Sequence, residues 1–374
     1  MTRKIMIVAG EASGDLHGAS LLRALRERTP ELEAFGIGGE HLAAAGLEIL
    51  VPVHEVATMG LTETFGALGR VVRAYRVARA ALRERRPDLV VLIDYPEFNL
   101  RLARRAKRLG LRVFYYISPQ VWAWRRGRIR LMRRIVDRLA VVFPFEEALY
   151  NNGSQRLAFF VGHPLLDLVR ATRAATETRK RYGLDPSRRL LAILPGSRRK
   201  EVHALLRPAL ATARILEEQG WQSAIALAPT LSRRDLEAAV PSEMWASIAV
   251  VPADTYNLVH AADAVLVASG TATLEVALLG KPMVIVYRVS PLTYALGRML
   301  VRVEHIGMPN LILGRRVAPE FLQGEVRPDI LAPALQQAWQ EREQFALAWQ
   351  ELRARLGSPG AAQRAAALAW ELLP

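Results

Sequence analysis

The stretch Leu266-Val-Ala-Ser-Gly-Thr-Ala-Thr-Leu-Glu275 decides the fold, and it continues through Gly280-Lys-Pro282 into the apolar run Met283–Tyr287. The apolar residues before Ser269 have the length of a buried strand, and the Ser-Gly-Thr triplet predicts a turn. A short helix should follow, because a glycine suits the position after a helix end and the nearby proline prevents continuation. The stretch therefore predicts strand, turn, helix and strand, which is the repeating unit of a parallel α/β sheet.

This helix start is a candidate anion site. Its first backbone N–H groups lack partners within the helix, and the helix dipole adds partial positive charge there. A pyrophosphate is a typical ligand of a helix that opens after a parallel strand. Glu275 could then accept hydrogen bonds from ribose hydroxyls. The alternative is that Glu275 only complements the helix dipole, although with Thr271 as N-cap it lies one residue beyond the capping-box position.

Strand-length apolar runs alternate with helical runs along most of the chain, and this pattern occurs twice. It predicts an α/β protein with two Rossmann-like domains. We expect the domains to span residues 1–166 and 167–339, and the C-terminal helices at 340–374 to complete the first domain by packing across domains or subunits. The strand-like runs are Lys4–Ala9, Leu89–Ile93, Val113–Ile117, Leu139–Phe143, Leu190–Leu194, Ile225–Ala228, Ile248–Val251, Ala264–Ala268 and Met283–Tyr287.

Composition restricts the class of protein. The chain has 374 residues and no cysteine, which excludes disulfides and thiolate metal sites and fits a reducing cytoplasm. The apolar run Ile5–Ala9 is too short for a signal-peptide core, and no run of about 18 apolar residues occurs. We therefore expect a soluble or peripheral protein.

Positive charge is concentrated in one part of the chain. The formal net charge is +15, and Arg101–Arg138 carries 13 basic residues against one acid, Asp137. Such a field attracts the phosphates of nucleic acid, of an anionic bilayer or of a substrate, and charge alone does not choose among them. The other interpretation is a solvated face of Arg-rich helices.

The loop Gly10-Glu-Ala-Ser-Gly-Asp15 follows the first predicted strand, where a dinucleotide fingerprint would lie. It lacks the G-x-G-x-x-G spacing, and its two carboxylates would repel a pyrophosphate. Carboxylates accept hydrogen bonds from sugar hydroxyls, and glycines permit close approach of a ligand. The loop thus predicts a hydroxyl-rich ligand, unless Ser13 or Asp15 only caps a helix beginning near His17. The candidate ligand residues are Gly10, Glu11, Ser13, Gly14 and Asp15.

Asp94 is the candidate general base. It ends the run Leu89–Ile93, so it should lie at the carboxyl edge of the sheet, where open α/β folds bind ligands. With Pro96 and Phe98 excluding water, its carboxylate could accept a hydroxyl proton from an acceptor. The alternative is that it fixes the following turn.

Two further segments set polar groups beside cations. Ser118-Pro-Gln-Val-Trp-Ala-Trp-Arg125 offers rings for sugar faces and an arginine for phosphate, so Gln120, Trp122 and Arg125 are candidate acceptor contacts. Pro195-Gly-Ser-Arg198 follows a strand and offers backbone amides at Gly196 and Ser197 and the planar fork of Arg198, unless it is an ordinary basic loop.

A segment rich in apolar residues, from Met59 to Val72, precedes a predicted helix with arginines along one face. This arrangement is typical of a segment at an anionic membrane surface. Arg73, Arg76, Arg79 and Arg83 recur every three to four residues. Packing of the apolar residues into the domain is the alternative. The candidate membrane contacts are Met59, Leu61, Phe65, Leu68 and Val72.

Several classes lose support. The chain has no Asp-x-Asp, no His pair at helical ligand spacing and no Gly-x-Ser-x-Gly, so metal-dependent transfer and serine hydrolysis are disfavoured.

Six segments in unbroken order resemble the lipid-A-disaccharide synthase family: GEASGD, IDYPEFN, SPQVWAWR, LPGSRRKEV, ASGTATLE with its GKPMVIVYR tail, and MPNLI. The resemblance covers Ile5 to about Leu313. It implies a B-type glycosyltransferase fold, in which two Rossmann-like domains face each other across a cleft. It also implies transfer of diacylglucosamine from UDP-2,3-diacylglucosamine to the 6-hydroxyl of 2,3-diacylglucosamine 1-phosphate. The products would be the β-1′,6-linked disaccharide and UDP.

The same resemblance implies inversion at the anomeric carbon, no metal and no other cofactor. Asp94 matches the family's proposed base. Its UDP side is matched by Gly196, Ser197, Arg198, Ser269, Gly270, Thr271, Ala272, Thr273, Glu275 and Asn310. The expected location is the cytoplasmic side of the inner membrane of a Gram-negative bacterium, on its anionic surface, with no nucleic-acid partner and with a homodimer left open.

Two alternatives stay open from the residues. One is another UDP-sugar enzyme of the same fold, such as an epimerase or a transferase with a different acceptor. The other is a non-catalytic basic protein that binds a membrane or nucleic acid, although binding of a phosphate backbone does not require ordered motifs at strand ends.

Overall fold

The computed structural model describes residues 3–56, 65–119, 127–151, 156–245, 248–290, 294 and 304–374. The chain forms two compact units, Met1–Pro164 with Leu356–Pro374, and Leu165–Arg355. Residues 165–166 and 340–355 thus group with the second unit, whereas the predicted domains place them with the first.

The first unit is built on a seven-stranded, all-parallel sheet with strand order β3-β2-β1-β4-β5-β6-β7. Its central strand β4 is buried along its whole length, as a continuous apolar run between helical layers should be. The strands are β1 Lys4–Ala9, β2 Glu33–Gly38, β3 Glu48–Pro52, β4 Leu89–Ile93, β5 Arg112–Tyr116, β6 Arg138–Val141 and β7 Ala158–Phe160.

The helices of the first unit include one from the C-terminus, α16, which packs on α1 and β6. A cation–π contact also joins Arg3 to Trp370, with the guanidinium carbon 4.1 Å from the ring centroid. The helices are α1 Ala12–Arg28, α2 Glu40–Ala44, α3 Phe65–Glu84, α4 Pro96–Arg108, α5 Arg128–Ile135, α6 Pro144–Tyr150 and α16 Ala361–Trp370, and Val53–Glu55 is a 3₁₀ turn.

The second unit repeats the plan with a six-stranded parallel sheet in the order β10-β9-β8-β11-β12-β13. Its strands are β8 Arg189–Leu194, β9 Trp221–Leu227, β10 Ile248–Pro252, β11 Ala264–Ala268, β12 Met283–Tyr287 and β13 Glu320–Leu322. Its helices are α7 Leu165–Leu168, α8 Ala175–Arg181, α9 Arg199–Glu217, α10 Arg233–Glu237, α11 Thr255–Ala261, α12 Thr271–Leu278, α13 Met308–Leu313, α14 Pro328–Gln340 and α15 Arg342–Arg355, with 3₁₀ turns at Ser242–Trp245 and Gln323–Glu325.

All nine predicted strands are present, within a few residues at their ends, and four others are not predicted. The strand β2 contains Gly36 and Gly38, which weaken a strand signal, and β3, β7 and β13 are short strands at or next to a sheet edge. The helix α1 begins at Ala12, well before the expected His17, with Glu11 as its N-cap residue.

Among the described residues, no helix is long and apolar enough to cross a membrane.

Candidate active site

Each sheet has one switch point, which is a pair of neighbouring strands from which the chain continues to opposite sides of the sheet. In the first unit β1 and β4 are adjacent, although β1 continues to β2 on one side and β4 to β5 on the other. In the second unit the same holds for β8 and β11. Loops diverge at such a switch point and leave a crevice at the carboxyl ends of the strands, which is where open α/β sheets bind ligands.

The first switch point brings Glu11 and Asp94 together. Asp94 adopts a left-handed backbone conformation with φ of 45°, directly after β4. Its backbone oxygen accepts hydrogen bonds from the Tyr115 hydroxyl and from Asn99 Nδ2, the latter at 2.8 Å. The Asp94 backbone oxygen and these two side chains thus contribute to holding the turn.

The Asp94 carboxylate is half-buried, and its environment suits a base at neutral pH. Burial raises the pKa of Asp94 from 3.8 to about 7, and the charge of Glu11 adds to the effect, while a backbone hydrogen bond from Tyr95 opposes it. A base is most effective when its pKa lies near the working pH. Phe98 packs on Tyr95 and Tyr75 in the core, with ring centroids 6.0 and 5.7 Å apart, so it supports the Asp94 turn from beneath.

Three residues of the GEASGD loop make structural contacts within the protein. The Asp15 carboxylate is buried and accepts the N–H groups of Gly39, His41 and Leu42 at 2.6–3.1 Å, so it caps α2 rather than its own helix. A Cβ on Gly10 would lie 2.1 Å from the Tyr95 ring. Gly14 is buried beside Ala9 and Ile93. Glu11 and the exposed Ser13 remain candidates for the ligand.

The other acceptor candidates, Gln120, Trp122 and Arg125, lie outside the described residues. The segment leading to them is anchored, because Ser118 Oγ lies 2.7 Å from the Tyr150 hydroxyl and both residues are buried. The rings of Tyr115 and Tyr116 at the end of β5 are also fully buried, so they belong to the core.

At the second switch point, the loop after β8 presents the Arg198 side chain rather than free amides. Gly196 has φ of 114°, and the Glu201 carboxylate accepts the N–H groups of Ser197 and Arg198 at 3.0 and 3.3 Å. Of the two amides predicted to contact the ligand, that of Ser197 is therefore bound within the protein. The Arg198 guanidinium is 72% exposed, and its contact with Glu201 is 3.5 Å long.

The loop after β11 opens a helix, as predicted, but Gly270 rather than Thr271 is the N-cap. Gly270 has φ of 148°, a conformation open to glycine, and the space where its Cβ would lie is empty to 4 Å. The hydroxyls beside it are used locally: Ser269 Oγ donates to the Ile306 oxygen at 2.9 Å and Thr273 Oγ1 to the Gly270 oxygen at 2.7 Å. Thr271 is exposed and Ala272 half-buried, so this end of the helix faces solvent.

Glu275 lies beyond the first turn of α12 and has a partner that the sequence does not reveal. The Tyr256 hydroxyl donates to its Oε1 at 3.0 Å. Burial raises the pKa of Glu275, while this hydrogen bond lowers it. The tyrosine therefore fixes one carboxylate oxygen of Glu275, and the second keeps lone pairs for another donor.

The side chain of Asn310, a predicted UDP contact, makes hydrogen bonds within the protein. Its Nδ2 donates to the Ala318 oxygen and to Glu320, and its Oδ1 accepts the N–H groups of Val317 and Ala318, all within 3.0 Å. The side chain is fully buried and its hydrogen-bonding capacity is used. Glu320 also binds the N–H groups of Ile306 and Gly307, so this cluster holds the segment that receives Ser269.

Sequence reasoning missed three tyrosines at these sites, which are Tyr115, Tyr256 and Tyr287. Tyr287 ends β12 close to the Arg198 loop: burial and the Glu201 charge raise its pKa, and the Arg198 charge lowers it. Tyr256 has no motif around it that could have revealed its role.

The predicted membrane segment is partly described. Val72 is 40% exposed. The structure does not describe Met59 and Leu61, nor the side chains of Phe65 and Leu68. Behind Val72, α3 packs on α4. Burial, and then the nearby charges of Arg83, Arg79 and Arg108, lower the pKa of Arg105, so arginines of both helices converge on one exposed face.

No group of three His, Cys, Asp or Glu side chains that could hold a metal ion occurs in the described part of the chain.

Comparison with known proteins gives a single answer on family. A family model described as lipid-A-disaccharide synthetase matches residues 5–365. The lipid-A-disaccharide synthase of Syntrophus aciditrophicus is 45% identical over 377 residues, covering 100% of this chain and 98% of that protein. That of Myxococcus xanthus is 44% identical and covers 99% and 98%.

Solved structures are similar in fold at low identity. A glycotransferase of kitacinnamycin has a TM-score of 0.65 at 17% identity, covering all of both chains. Acinetobacter baumannii MurG has a TM-score of 0.58 at 15% identity, covering 99% of this chain and all of that one. A UDP-GlcNAc 2-epimerase from Neisseria meningitidis has a TM-score of 0.64 at 10% identity, covering 98% of each. These likenesses confirm the predicted B-type glycosyltransferase fold.

Proposed function

The chain belongs to the lipid-A-disaccharide synthetase family, and from that premise we propose how its two switch points share the reaction. It is a glycosyltransferase of lipid A synthesis, whose substrates are a nucleotide sugar and a lipid acceptor. The proposal concerns the identity of those substrates and the residues that act on them.

The donor is UDP-2,3-diacylglucosamine, bound at the switch point between β8 and β11. The open N-terminus of α12 at Gly270–Ala272 offers backbone amides to the diphosphate, and Arg198 offers an exposed guanidinium. Glu275, held by Tyr256, accepts a ribose hydroxyl. Together these groups stabilise the charge that develops on UDP as it leaves.

The acceptor is 2,3-diacylglucosamine 1-phosphate, bound at the switch point between β1 and β4. Asp94 removes the proton of its 6-hydroxyl while that oxygen attacks the anomeric carbon of the donor. The glycosidic bond forms as the bond to UDP breaks, with inversion, and the proton on Asp94 passes to solvent. Glu11 lies close enough to influence the charge of Asp94 and is placed to orient the acceptor through its hydroxyls.

The observation that carries this assignment is the environment of Asp94. A half-buried carboxylate with a pKa of about 7, at the switch point of a parallel sheet, is suited to take a proton at neutral pH. The reaction proposed here uses no metal, and helix amides and Arg198 act in place of Mg²⁺.

We further propose that the first unit rests on the anionic inner surface of the membrane. The exposed arginines of α3 and α4, which converge near Arg105, and the exposed Val72 support this placement. Both proposed substrates carry acyl chains, so an enzyme at the bilayer surface meets them where they reside.

The test is an assay of the purified protein with radiolabelled UDP-2,3-diacylglucosamine. We expect stoichiometric UDP and disaccharide only when 2,3-diacylglucosamine 1-phosphate is present, and neither product with non-acylated glucosamine 1-phosphate. UDP release without an acceptor, or conversion of the donor to an epimer, would reject the proposal.

A further inference from the structure

Two adjoining cavities lie at the amino edge of the sheet in the second unit, opposite the edge that carries Arg198 and Gly270. A cavity of about 350 Å³ opens beside the residues that precede β8, β11 and β12. An adjoining cavity of about 470 Å³ shares Ala262, Asp263 and Lys281 with it. We call the pair the amino-edge cavity. None of its lining residues belongs to the switch point of this unit.

The lining is strongly basic. Arg179, Arg188, Arg189, His260 and Lys281 face the first cavity together with a single acid, Asp263. The acid is already committed, because its Oδ2 accepts hydrogen bonds from the Leu190 N–H and from Arg179, both at 2.8 Å. Arg179 is committed too, since it also binds the Ala261 and Arg188 carbonyls. Asp263 also acts on Lys281 through its charge, but it is a single carboxylate among five basic side chains at this cavity.

Lys281 lines both cavities and contributes to this excess of basic side chains. Its backbone is fixed, because its N–H donates to the Val276 oxygen at 3.2 Å and its carbonyl accepts the Trp349 indole N–H at 2.9 Å. Its half-buried ammonium makes no hydrogen bond or ion pair within the described residues. Burial lowers the pKa of Lys281, whereas the charge of Asp263 raises it. Burial, and then the charge of Lys281, lower the pKa of the partly buried His260. An anion placed between them would relieve both costs.

Aromatic rings fix the neighbouring arginine. The guanidinium carbon of Arg189 lies 3.8 Å from the Trp339 ring centroid, and Arg342 lies 4.9 Å from the same ring. Trp339 is braced by Trp221 in an edge-to-face contact at 6.3 Å. Stacking holds a guanidinium by its face and leaves its N–H edge available for phosphate oxygens.

We propose that the amino-edge cavity binds a phosphate monoester, with the phosphate held by Lys281, His260 and Arg189, at a site separate from the nucleotide-sugar site. A phosphate monoester has the charge and the several acceptor oxygens that this donor set can satisfy together. The volume leaves room for a small polar group attached to the phosphate. The same chemistry occurs on a free metabolite and on a lipid headgroup, and the experiment separates these two sources.

The first measurement is calorimetry on the full chain saturated with UDP, so that phosphate does not report on the nucleotide site. Glycerol 3-phosphate should bind, and Lys281→Met should weaken it by about tenfold or more, because a charge-assisted contact is lost. Lys281→Arg should retain most of the affinity. Arg233→Ala, an exposed arginine of the same unit paired with Glu237, is the matched control and should change nothing. Affinity for UDP should be equal in all four proteins.

The second measurement uses vesicles of phosphatidic acid in phosphatidylcholine. Lys281-dependent binding to the vesicles that exceeds binding of glycerol 3-phosphate identifies the lipid headgroup as the source. Binding of free phosphate ester alone identifies a soluble metabolite. No binding of either probe to a folded wild-type protein, or equal binding by wild type and Lys281→Met, overturns the proposal whether or not UDP binds where we place it.

Discussion

The two switch points of this protein share one topology and carry opposite chemistry. The first, between β1 and β4, gathers two carboxylates, and burial raises the pKa of one of them to about 7. The second, between β8 and β11, offers an open helix N-terminus and an exposed arginine. The two sheets share one topology, and the loop residues give one switch point carboxylates and the other a guanidinium and backbone N–H groups.

The two switch points also differ in the reason for which each requires a glycine. Gly10 is required by packing, since a Cβ there would meet the Tyr95 ring at 2.1 Å. Gly270 is required by its backbone conformation, and the space beside it is open. A glycine in contact with the core supports the catalytic turn, whereas a glycine facing open space leaves room for a ligand.

The largest expected effect tests the acidic switch point. Asp94→Asn should lose about 10²-fold or more in turnover, because a general base is removed, while affinity for UDP stays the same. Asparagine tolerates the left-handed backbone at this position, so the fold should persist. Glu97→Gln, an exposed acid of the same turn, is the control and should retain activity. Near-normal turnover in the chemical step of Asp94→Asn would remove the base assignment.

The next effect tests the basic switch point. Arg198→Ala should weaken UDP binding by about 1.5–3 kcal/mol, roughly 10- to 100-fold, through loss of a charge-assisted contact. Glu275→Gln should weaken it less. Arg199→Ala is the matched control, because Arg199 is equally exposed but pairs with Asp235. Calorimetry with UDP measures all three, and unchanged affinity in both test variants would place the nucleotide elsewhere.

The pH dependence sharpens the contrast. The rate constant kcat/KM should fall about tenfold per pH unit below 7 as Asp94 gains its proton. Because its folded pKa exceeds the unfolded value of 3.8, the carboxyl contributes most stability below pH 4 and loses this contribution as pH rises to 7. The stability of Asp94→Asn relative to wild type should therefore increase as the pH rises from 4 to 7, by on the order of 2–4 kcal/mol in total. Urea unfolding at pH 5 and pH 8 measures this gain, and an equal difference at both would contradict the raised pKa.

A smaller effect concerns the exposed arginines of the first unit. Flotation with anionic vesicles should fall steeply as salt rises, since each surface arginine contributes roughly 1 kcal/mol and is screened. Changing Leu61, Phe65 and Leu68 to serine should remove a salt-resistant remainder. Changing Arg79, Arg83 and Arg108 to glutamine should weaken binding more than changing Arg233 and Arg234 of the second unit. If wild type does not float at low salt, the membrane placement is wrong.

No change at all is expected on removal of divalent metal. Activity should survive excess EDTA, because the basic switch point rather than Mg²⁺ balances the diphosphate. Loss of activity that Mg²⁺ restores would show that helix amides and Arg198 are insufficient.

The sequence by itself determined the repeated α/β pattern, the central strands, the position of Asp94 at a strand end and the short helix that follows β11. These follow from local causes: apolar runs of strand length, and glycine and proline that end or turn an element. Runs such as Leu89–Ile93 and Ala264–Ala268 are the central strands that the pattern predicts. The family's ordered motifs supplied the function.

Only the tertiary structure decided which polar residues remain available to a ligand. Asp15 binds amides 24 to 27 positions away, Tyr256 reaches Glu275, and Asn310 is saturated by the turn that contains Glu320. In the sequence, an acidic or amide residue within a motif cannot be assigned to substrate binding or to backbone hydrogen bonding. The difference depends on partners distant in sequence, since a buried polar group must be satisfied by whatever the fold brings beside it.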